Sequence, residues 1–264
     1  MKIGLIGCGN MARAIIQGFI GNGTFAPEEI IASDKSRDVL DAAADKLGIH
    51  TTTNNSELVL ESEMIILAVK PQVIGSVISE IADVISEQKL IISIVAGQSI
   101  KRIEELFGCD IKLVRTMPNT PALAGAGMTA VCSNGNVSRT ELDYACRLLS
   151  SFGKAEVVPE KLMDAVVAVS GSSPAYVAIM IEAMADAAVN EGMPRAQAYQ
   201  FAMQAVYGTA KLLLDTDMHP AVLIDMVCSP AGTTIEAVRV LEEKGFRSAI
   251  MEAMKACADV SSKL

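Results

Sequence analysis

Short apolar runs alternate with amphipathic stretches over the first 158 residues of the chain. Six of the runs are aliphatic or β-branched without polar alternation, which is typical of strands that are covered on both faces. The stretches between them repeat apolar residues at helical spacing. This alternation predicts βαβ units and therefore an α/β fold, a Rossmann-type mostly parallel sheet with helices on both faces. The predicted strands are residues 2–7, 30–34, 64–69, 90–96, 112–119 and 128–133, and the predicted helices are 11–22, 38–47, 72–85, 100–107 and 139–152.

The pattern changes after Pro159, where strand signals largely vanish and five helical segments follow. We therefore predict two domains, one over residues 1–158 and an all-helical one over residues 159–264. The first helical segment, residues 161–192, would be about 45 Å long and is apolar on nearly every side. Such a helix needs cover from another element or subunit, so we expect a homodimer with intertwined helical domains; packing within one chain is the alternative. The other predicted helices are residues 195–215, 220–227, 233–244 and 246–264.

The composition limits the compartment and the partners. A net charge of −9 argues against nucleic acid as a partner, because neutralising phosphates requires clustered Lys and Arg. Six scattered cysteines without a C-x-x-C pair indicate reduced thiols and no metal site. The longest uncharged stretch, residues 165–181, contains the break Gly171–Pro174. We therefore predict a soluble, cytoplasmic protein that does not span or bind a membrane.

A glycine-rich motif follows the first predicted strand and opens the first predicted helix. It fits the pattern G-x-G-x-x-A, and an acidic residue, Asp34, ends the next strand. The first glycine permits a tight turn, the second lets a pyrophosphate approach the backbone, and the alanine keeps the helix close to the sheet. The motif predicts a dinucleotide-binding domain; a purely structural turn is the alternative. Its residues are Gly7, Cys8, Gly9, Asn10, Met11 and Ala12.

The residues around Asp34 leave the cofactor open between NADPH and NADH. An acid at this position can bond a ribose 2′-hydroxyl, which favours NADH. Ser33, Lys35 and Arg37 can accommodate a 2′-phosphate, which favours NADPH, although Lys35 and Arg37 are also ordinary charges for a solvated loop. We expect a slight preference for NADPH.

Further cofactor contacts are expected from loops at the carboxyl ends of the other strands, where ligands bind in open α/β sheets. These loops carry small or polar residues and prolines, which also serve simply as helix entry signals. The predicted contacts are Asn54, Ala68, Val69, Lys70, Pro71, Val95, Ala96, Gly97 and Asn119.

The helical half contains two segments of unusual composition. Residues 170–176, SGSSPAY, interrupt a helical pattern and predict a break or a new helix start. In residues 228–245, Thr233 and Glu236 fit a capping box that would begin a helix. Pro230-Ala231-Gly232 in front of it exposes backbone, so the helix start suits a carboxylate; a plain helix cap is the alternative.

The chain lacks the usual acid–base machinery. The two histidines, His50 and His219, are expected at the surface or as caps, and no G-x-S-x-G or H-E-x-x-H motif occurs. Hydride transfer needs little beyond orientation and one proton donor. The sparse set of groups is therefore consistent with reduction of a C=N bond.

Together these motifs resemble the pyrroline-5-carboxylate reductase family over essentially the full length. The resemblance implies a Rossmann domain followed by a helical domain like that of 6-phosphogluconate dehydrogenase. It implies reduction of L-1-pyrroline-5-carboxylate to L-proline with NADPH or NADH, the last step of proline biosynthesis. It also implies interlocked dimers, which often build decamers, with the active site between two subunits. The segments that carry it are GLIGCGNMARAI, AVKP, VRTMPNTPA, SGSSPAY and SPAGTTIEAVRVLE.

The resemblance also implies roles for residues of the helical domain. Backbone around Ser229, Gly232 and Thr233 would hold the substrate carboxylate, and the Thr234 hydroxyl would act at the ring nitrogen as the catalytic group. Glu160 would approach the product, although an acid that favours a helix start is an equal alternative. The chain departs from the family pattern at Met226, where some relatives have Asn, and at Ala231, where many have Gly. Asp34 is also more acidic than strict use of NADPH would suggest.

Three alternatives to reduction of pyrroline-5-carboxylate fit part of the sequence pattern. A 3-hydroxyacid dehydrogenase has a similar layout but places a catalytic lysine on the long helix, and no lysine occurs at residues 162–194. A nucleotide-sensing protein with an inactive pocket would bind the cofactor without turnover. A six-membered cyclic imine as substrate stays open.

Overall fold

A computed structural model describes residues 2–263 and divides the chain into two compact units. The first unit extends to Ser172 and also includes the C-terminal segment from Cys257 onward. The second unit is Ser173–Ala256. The first unit contains one eight-stranded sheet in the order β3-β2-β1-β4-β5-β6-β7-β8. All neighbouring strands are parallel except β6 and β7. The strands are β1 Ile3–Ile6, β2 Ile30–Ser33, β3 His50–Thr52, β4 Met64–Leu67, β5 Leu90–Ser93, β6 Lys112–Met117, β7 Gly127–Ser133 and β8 Gly153–Val157.

The four strands β1, β2, β4 and β5 are buried along their whole length. β1 pairs in parallel with β2 on one side and with β4 on the other, so that Ile3 lies opposite both Ile30 and Met64. Helices cover both faces, which is why these strands are aliphatic at every position rather than at alternate ones. The predicted α/β class and its Rossmann-type sheet are confirmed.

Six helices form the layers on the two faces of the sheet. One core contains Ile15 and Phe19 of the first helix, with Phe19 in edge contact with Phe152 and Phe25. The other core contains Leu58, Ile78 and other aliphatic residues of the opposite layer. The first layer consists of α1 Asn10–Gly21, α2 Arg37–Leu47 and α6 Arg139–Leu149, and the second of α3 Asn55–Glu61, α4 Ile74–Ile81 and α5 Ile100–Phe107.

Two elements, β8 and α3, were not predicted from the sequence, and β3 was indicated only by a strand-like segment, LGIH, that ends at His50. β3 and β8 are the two outer strands of the sheet, and their residues are mostly exposed or half-buried. A strand that buries so little surface has no continuous apolar run, so its sequence resembles a loop. The helix α3 has only seven residues, too few for a clear helical period.

The predicted helix over residues 161–192 is a composite segment. It begins as a short 3₁₀ turn and continues through α7 Met163–Val166, a π-helical turn Val167–Gly171 and α8 Ser173–Asn190. The predicted break overlaps the end of this π-helical turn, which is separated from α8 by Ser172. Met163 is buried in the core of the first unit. The compact units divide after Ser172, and the domain boundary at residue 158 stays a prediction.

The second unit is helical and buries little of its own apolar surface. Of its described residues, only Ala185, Ala198 and Ala202 are buried. Large apolar side chains are exposed on several helices, among them Ile179 at 66% and Phe201 at 67%. Its elements are α8, α9 Arg195–Thr216, α10 Pro220–Val227, α11 Thr233–Glu243 and the first part of α12 Phe246–Ser261.

By length and composition, one run of the described residues could cross a membrane. The most apolar 18-residue window of this run, Glu160–Asn190, has a mean hydropathy of 1.4. Apolar exposure also extends to other helices of the second unit, including Leu214 on α9 and Met226 on α10. Exposure spread over several helices favours coverage by protein over a single membrane-spanning helix.

Candidate active site

The carboxyl ends of the central strands form one continuous edge in the first unit. The backbone N–H of Gly7, after β1, donates to the Ser33 carbonyl at 2.8 Å, and that of Ala68, after β4, donates to the Ile6 carbonyl at 2.8 Å. The winding of the sheet reverses around β1, which lies between β2 and β4. In open α/β sheets, ligands bind at such a switch point.

Glycine is needed at the two motif positions, Gly7 and Gly9, for different structural reasons. Gly7 has φ +98°, and a Cβ there would lie 2.5 Å from the Ala68 carbonyl oxygen, so the protein itself requires glycine. Gly9 has an ordinary φ of −71°, and a Cβ would meet no protein atom within 4 Å. Gly9 is also the N-cap of α1, and no side chain caps this helix. The open, uncapped helix start fits the pyrophosphate of a dinucleotide.

The remaining motif residues support this helix start. Ala12 is buried against the sheet, and Met11 packs beside it on the same core. Arg13 donates from Nη2 to Oδ1 of Asn10 at 2.7 Å, at the surface. Burial raises the pKa of the Cys8 thiol, which therefore stays protonated at neutral pH. Cys8 accordingly offers no thiolate to a ligand.

The side chains at the ends of β2 and β3 already bond to protein atoms. The buried Ser33 hydroxyl donates to Oδ1 of Asn55 at 2.7 Å. Oδ2 of Asp34 accepts from the Cys8 N–H and Oδ1 from the Ser36 N–H, both at 3.0 Å. Asn54 caps α3 by accepting from the N–H groups of Ser56 and Glu57. Lys35 and Arg37 are exposed.

The loops after β4, β5 and β6 complete this edge of the sheet. Val95 is buried, and its N–H donates to the Ser93 hydroxyl oxygen. Asn119 accepts from the Met128 N–H at 2.9 Å and donates to the carbonyl and hydroxyl oxygens of Ser170. Asn119 thereby ties its loop to the π-helical turn. The other predicted contacts here are half-buried or exposed: Ala68, Val69, Lys70, Pro71, Ala96 and Gly97.

Glu160 forms an ion pair inside the first unit. Its Oε1 accepts from Nη1 of Arg115 at 2.8 Å and from the Ile100 N–H at 2.8 Å. Ile100 is the first residue of α5, so the carboxylate satisfies a backbone donor at that helix start. The Arg115 side chain is 12% exposed and was not predicted as a functional residue, although a cation between buried strand residues indicates an acidic partner.

The predicted capping box at α11 is wrong. The N-cap of this helix is Gly232, and no side chain caps it. The Gly232 N–H donates to the Ser229 carbonyl, and this turn advances the helix start by one residue. Glu236 instead pairs with Arg239 on the outer face of the helix. The start of α11 is thus left without a side-chain acceptor, as a carboxylate-binding helix start requires.

The loop before α11 is compact. A Cβ on Gly232 would lie 2.3 Å from the Ser229 hydroxyl oxygen, which would have to rotate away, and 3.1 Å from the Ser229 carbonyl oxygen. Ala231 has φ +56°, one of two positive φ angles at non-glycine residues in the described chain. Thr234 follows in the first turn of the helix and is half-buried.

Thr234 lines an apolar groove within the second unit, with a volume of about 590 Å³. The lining contains no Asp, Glu, Lys, Arg or His among the described residues; Cys228 is the one titratable group there. Hydroxyl chemistry at Thr234 would consequently take place in apolar surroundings. The groove is lined on three helices by Leu212, Leu213, Leu223, Ile224, Val227, Thr234 and Val238, among others.

The candidate residues divide between the two units. The predicted cofactor residues lie along one edge of the sheet in the first unit, together with Glu160. The predicted carboxylate loop and Thr234 lie in the second unit. In the first unit, Ser33, Asp34, Asn54 and Asn119 bond to protein atoms, and the roles of the candidate residues stay predictions.

The chain is 50% identical to the pyrroline-5-carboxylate reductase of Escherichia coli (strain K12) over 263 residues, covering 100% of this chain and 98% of the relative. The chain belongs to the pyrroline-5-carboxylate reductase family. The resemblance predicted from the motifs is confirmed.

Family models and solved structures agree with this membership. Residues 160–264 match a family described as pyrroline-5-carboxylate reductase dimerisation. Residues 2–97 match one described as NADP oxidoreductase, coenzyme F420-dependent.

Two solved reductases of the family share the fold. The Coxiella burnetii reductase superposes with a TM-score of 0.92 at 34% identity, covering 99% of this chain and 97% of the other. The Plasmodium falciparum reductase, solved with NADP bound, has a TM-score of 0.91 at 32% identity, covering 100% and 97%.

Proposed function

We propose that the chain reduces the C=N bond of L-1-pyrroline-5-carboxylate to give L-proline, as the last step of proline biosynthesis, with NAD(P)H as the cofactor. The similarity to named reductases over the full length carries this proposal. The open helix start at Gly9 fits the cofactor pyrophosphate, and the uncapped start of α11 fits the substrate carboxylate.

Bound NAD(P)H would supply a hydride to the carbon of the C=N bond, so the protein has to orient a flat imine and manage one proton. We assign the carboxylate to backbone around Ser229, Gly232 and Thr233. The Thr234 hydroxyl lies in the next turn position and is assigned to the ring nitrogen. Its apolar surroundings strengthen a hydrogen bond to a nitrogen whose charge changes during the reaction.

Among the candidate substrate residues, Glu160 has the strongest evidence for a structural role instead of a role in substrate binding. Its ion pair with Arg115 and its bond to the Ile100 N–H support a structural part at the start of α5. A contact with the product is the alternative proposal. Glu160→Gln separates the two, since a structural part predicts lower thermal stability with an unchanged KM for the imine. A raised KM at unchanged stability would assign Glu160 to the substrate.

We propose NADPH as the preferred form of the cofactor. The exposed cations Lys35 and Arg37 lie next to Asp34 along the chain, where a 2′-phosphate is bound in related sheets. The relative from Plasmodium was solved with NADP. Parallel measurements of kcat/KM with NADPH and NADH test the preference, and a higher value for NADH would contradict it.

We also propose a cytoplasmic homodimer with intertwined helical domains. The match of residues 160–264 to a dimerisation family and the exposed apolar residues of the second unit support the dimer. Free cysteines support a reducing compartment. Light scattering during gel filtration tests the assembly, with a decamer of five such dimers as the higher state; a stable monomer would contradict the proposal.

The activity is tested by following cofactor oxidation with L-1-pyrroline-5-carboxylate. The six-membered cyclic imine serves as an alternative substrate in the same assay, and 3-hydroxyisobutyrate is tested in the oxidative direction, by following the reduction of NAD(P)+. We expect the highest kcat/KM with the five-membered imine and no turnover of the hydroxy acid. A protein that binds NADPH yet leaves every imine unchanged would show a binding function instead.

A further inference from the structure

Asp34 was predicted as a contact for the cofactor ribose, but its carboxylate bonds to the glycine-rich loop. Oδ2 of Asp34 accepts from the backbone N–H of Cys8 at 3.0 Å. Cys8 lies between the two motif glycines and is separated from Asp34 by 26 positions in the sequence. The carboxylate therefore holds the middle of the loop that would surround the pyrophosphate.

Two successive N–H groups of this loop are held by the end of β2. The Gly7 N–H donates to the Ser33 carbonyl at 2.8 Å, and the Cys8 N–H donates to the Asp34 carboxylate. The next residue, Gly9, carries the first carbonyl of α1, which accepts from the Arg13 N–H at 3.0 Å. The position of the helix start relative to the sheet thus depends on the bond to Asp34.

The second carboxylate oxygen also bonds to backbone. Oδ1 of Asp34 accepts from the Ser36 N–H at 3.0 Å, in the two-residue turn typical of aspartate. Ser36 is the N-cap of α2, and its own side chain caps nothing there. One side chain therefore connects the starts of α1 and α2, and charge-assisted bonds of this kind are stronger than neutral ones.

We infer that Asp34 is a positioning residue, which fixes the phosphate-binding loop for the part of the cofactor that NADH and NADPH share. This inference rests on the proposed binding of a nicotinamide dinucleotide. It explains how an acid stands at this position without excluding a 2′-phosphate. Its charge is directed at two backbone donors, and two of the exposed side chains that follow it are cations, Lys35 and Arg37.

The two possible roles of Asp34 predict opposite patterns of binding. A residue that reads the ribose 2′-hydroxyl affects NADH alone, and its loss leaves NADPH binding unchanged or tighter. A residue that positions the loop affects both cofactors by the same factor. The ratio of the two dissociation constants separates the roles even where the absolute loss is uncertain.

The experiment measures the Kd of NADPH and NADH by calorimetry for the wild type, Asp34→Ala and Asp34→Asn. Asp38→Ala is the matched control, because Asp38 is an exposed acid in the first turn of α2 and removes the same charge without touching the loop. We expect both Asp34 variants to weaken both cofactors by about tenfold, with a Kd ratio within twofold of that of Asp38→Ala. Weakening of NADH alone would overturn the inference.

A second measurement uses the protein without cofactor. Hydrogen exchange of the peptide that contains Cys8 is expected to accelerate at least about tenfold in Asp34→Asn and to stay unchanged in Asp38→Ala. Unchanged exchange in Asp34→Asn would overturn the inference. The isosteric Asn variant keeps the test valid if Asp34→Ala does not fold. A wild-type protein that binds neither cofactor would refute the proposed function itself.

Discussion

The two units of the chain differ in how far they bury their own apolar residues. In the first unit, the central strands are covered on both faces by helices of the same unit. In the second, only three alanines are buried among the described residues, and side chains as large as Phe201 are exposed. The first unit is complete as a single chain, whereas the second requires another surface.

This difference also separates the two halves of the proposed chemistry. The cofactor loops belong to the self-sufficient unit, where bonds such as those of Asp34 and Asn119 fix them in place. Thr234 belongs to the unit that lacks cover, in an open apolar groove. We therefore expect cofactor binding to survive loss of the dimer and turnover to require it.

The largest effect is expected from a charge on the uncovered face. Ile179→Asp on α8 should prevent dimer formation, because burying an unpaired carboxylate at an apolar interface costs several kcal/mol. We expect at least about a hundredfold loss of specific activity, together with a monomer by light scattering. Ile179→Leu is the control and should remain dimeric and active. A dimeric and active Ile179→Asp would place the interface elsewhere.

The next effect concerns Thr234. Thr234→Ala should lower kcat/KM by roughly tenfold to a thousandfold, which corresponds to about 1.4–4 kcal/mol. Thr234→Ser keeps the hydroxyl and should retain most of the activity. Neither change should alter the Kd of NADPH, since Thr234 lies outside the unit that binds it. Equal losses in both variants would assign Thr234 to packing in the groove.

A smaller effect separates the two motif glycines within the first unit. Gly9→Ala fills the open space in front of α1 and should raise the Kd of NADPH by about tenfold without lowering the melting temperature. Gly7→Ala should instead destabilise the fold, because a Cβ there collides with the Ala68 carbonyl. Thermal unfolding with calorimetric binding measures both. Unchanged NADPH binding in Gly9→Ala would remove the pyrophosphate from this loop.

The smallest effect is a pH dependence in the first unit. Hydrogen bonds from Lys112 and Ser138 lower the pKa of Glu141 from 4.5 to about 2. Because the folded-state pKa is depressed, the stabilisation is complete above pH 4.5 and is lost as the pH falls toward 2. After discounting for its partial exposure, we expect Glu141→Gln to cost about 1–2 kcal/mol at pH 7 and almost nothing at pH 2. Urea unfolding at both pH values measures this.

Much of the first unit could be predicted because its strands are buried on both faces. A run such as Met64–Leu67 has no polar alternation, and burial by two helical layers is its physical reason. Edge strands such as β3 lack this signal, since they bury little of their surface. The π-helical turn at Val167–Gly171 was predicted only as a break, because its hydrogen-bond pattern depends on local packing.

The candidate site was predicted less evenly. The roles of Gly7 and Gly9 depend on their being glycine, which the sequence shows directly. The motif alone therefore located the start of α1. The bond of Asp34 to Cys8 depends on the register between β1 and β2, which no short motif contains. At α11, the motif predicted Thr233 as the cap, whereas the turn closed by the Ser229 carbonyl makes Gly232 the N-cap, and that turn is not contained in the motif.

Cys228 lines the apolar groove of the second unit. The alkylation rate of its thiol therefore measures whether another subunit covers this groove. Cys109, on the first unit, is exposed, whereas Cys228 is half-buried in the groove of the second unit, where we propose that a second copy of the chain packs. The reaction of Cys109 with a maleimide sets the rate for an open thiol. Slow labelling of Cys228 in wild type and fast labelling in Ile179→Asp would turn one side chain into a reporter of assembly, read by mass spectrometry without any substrate.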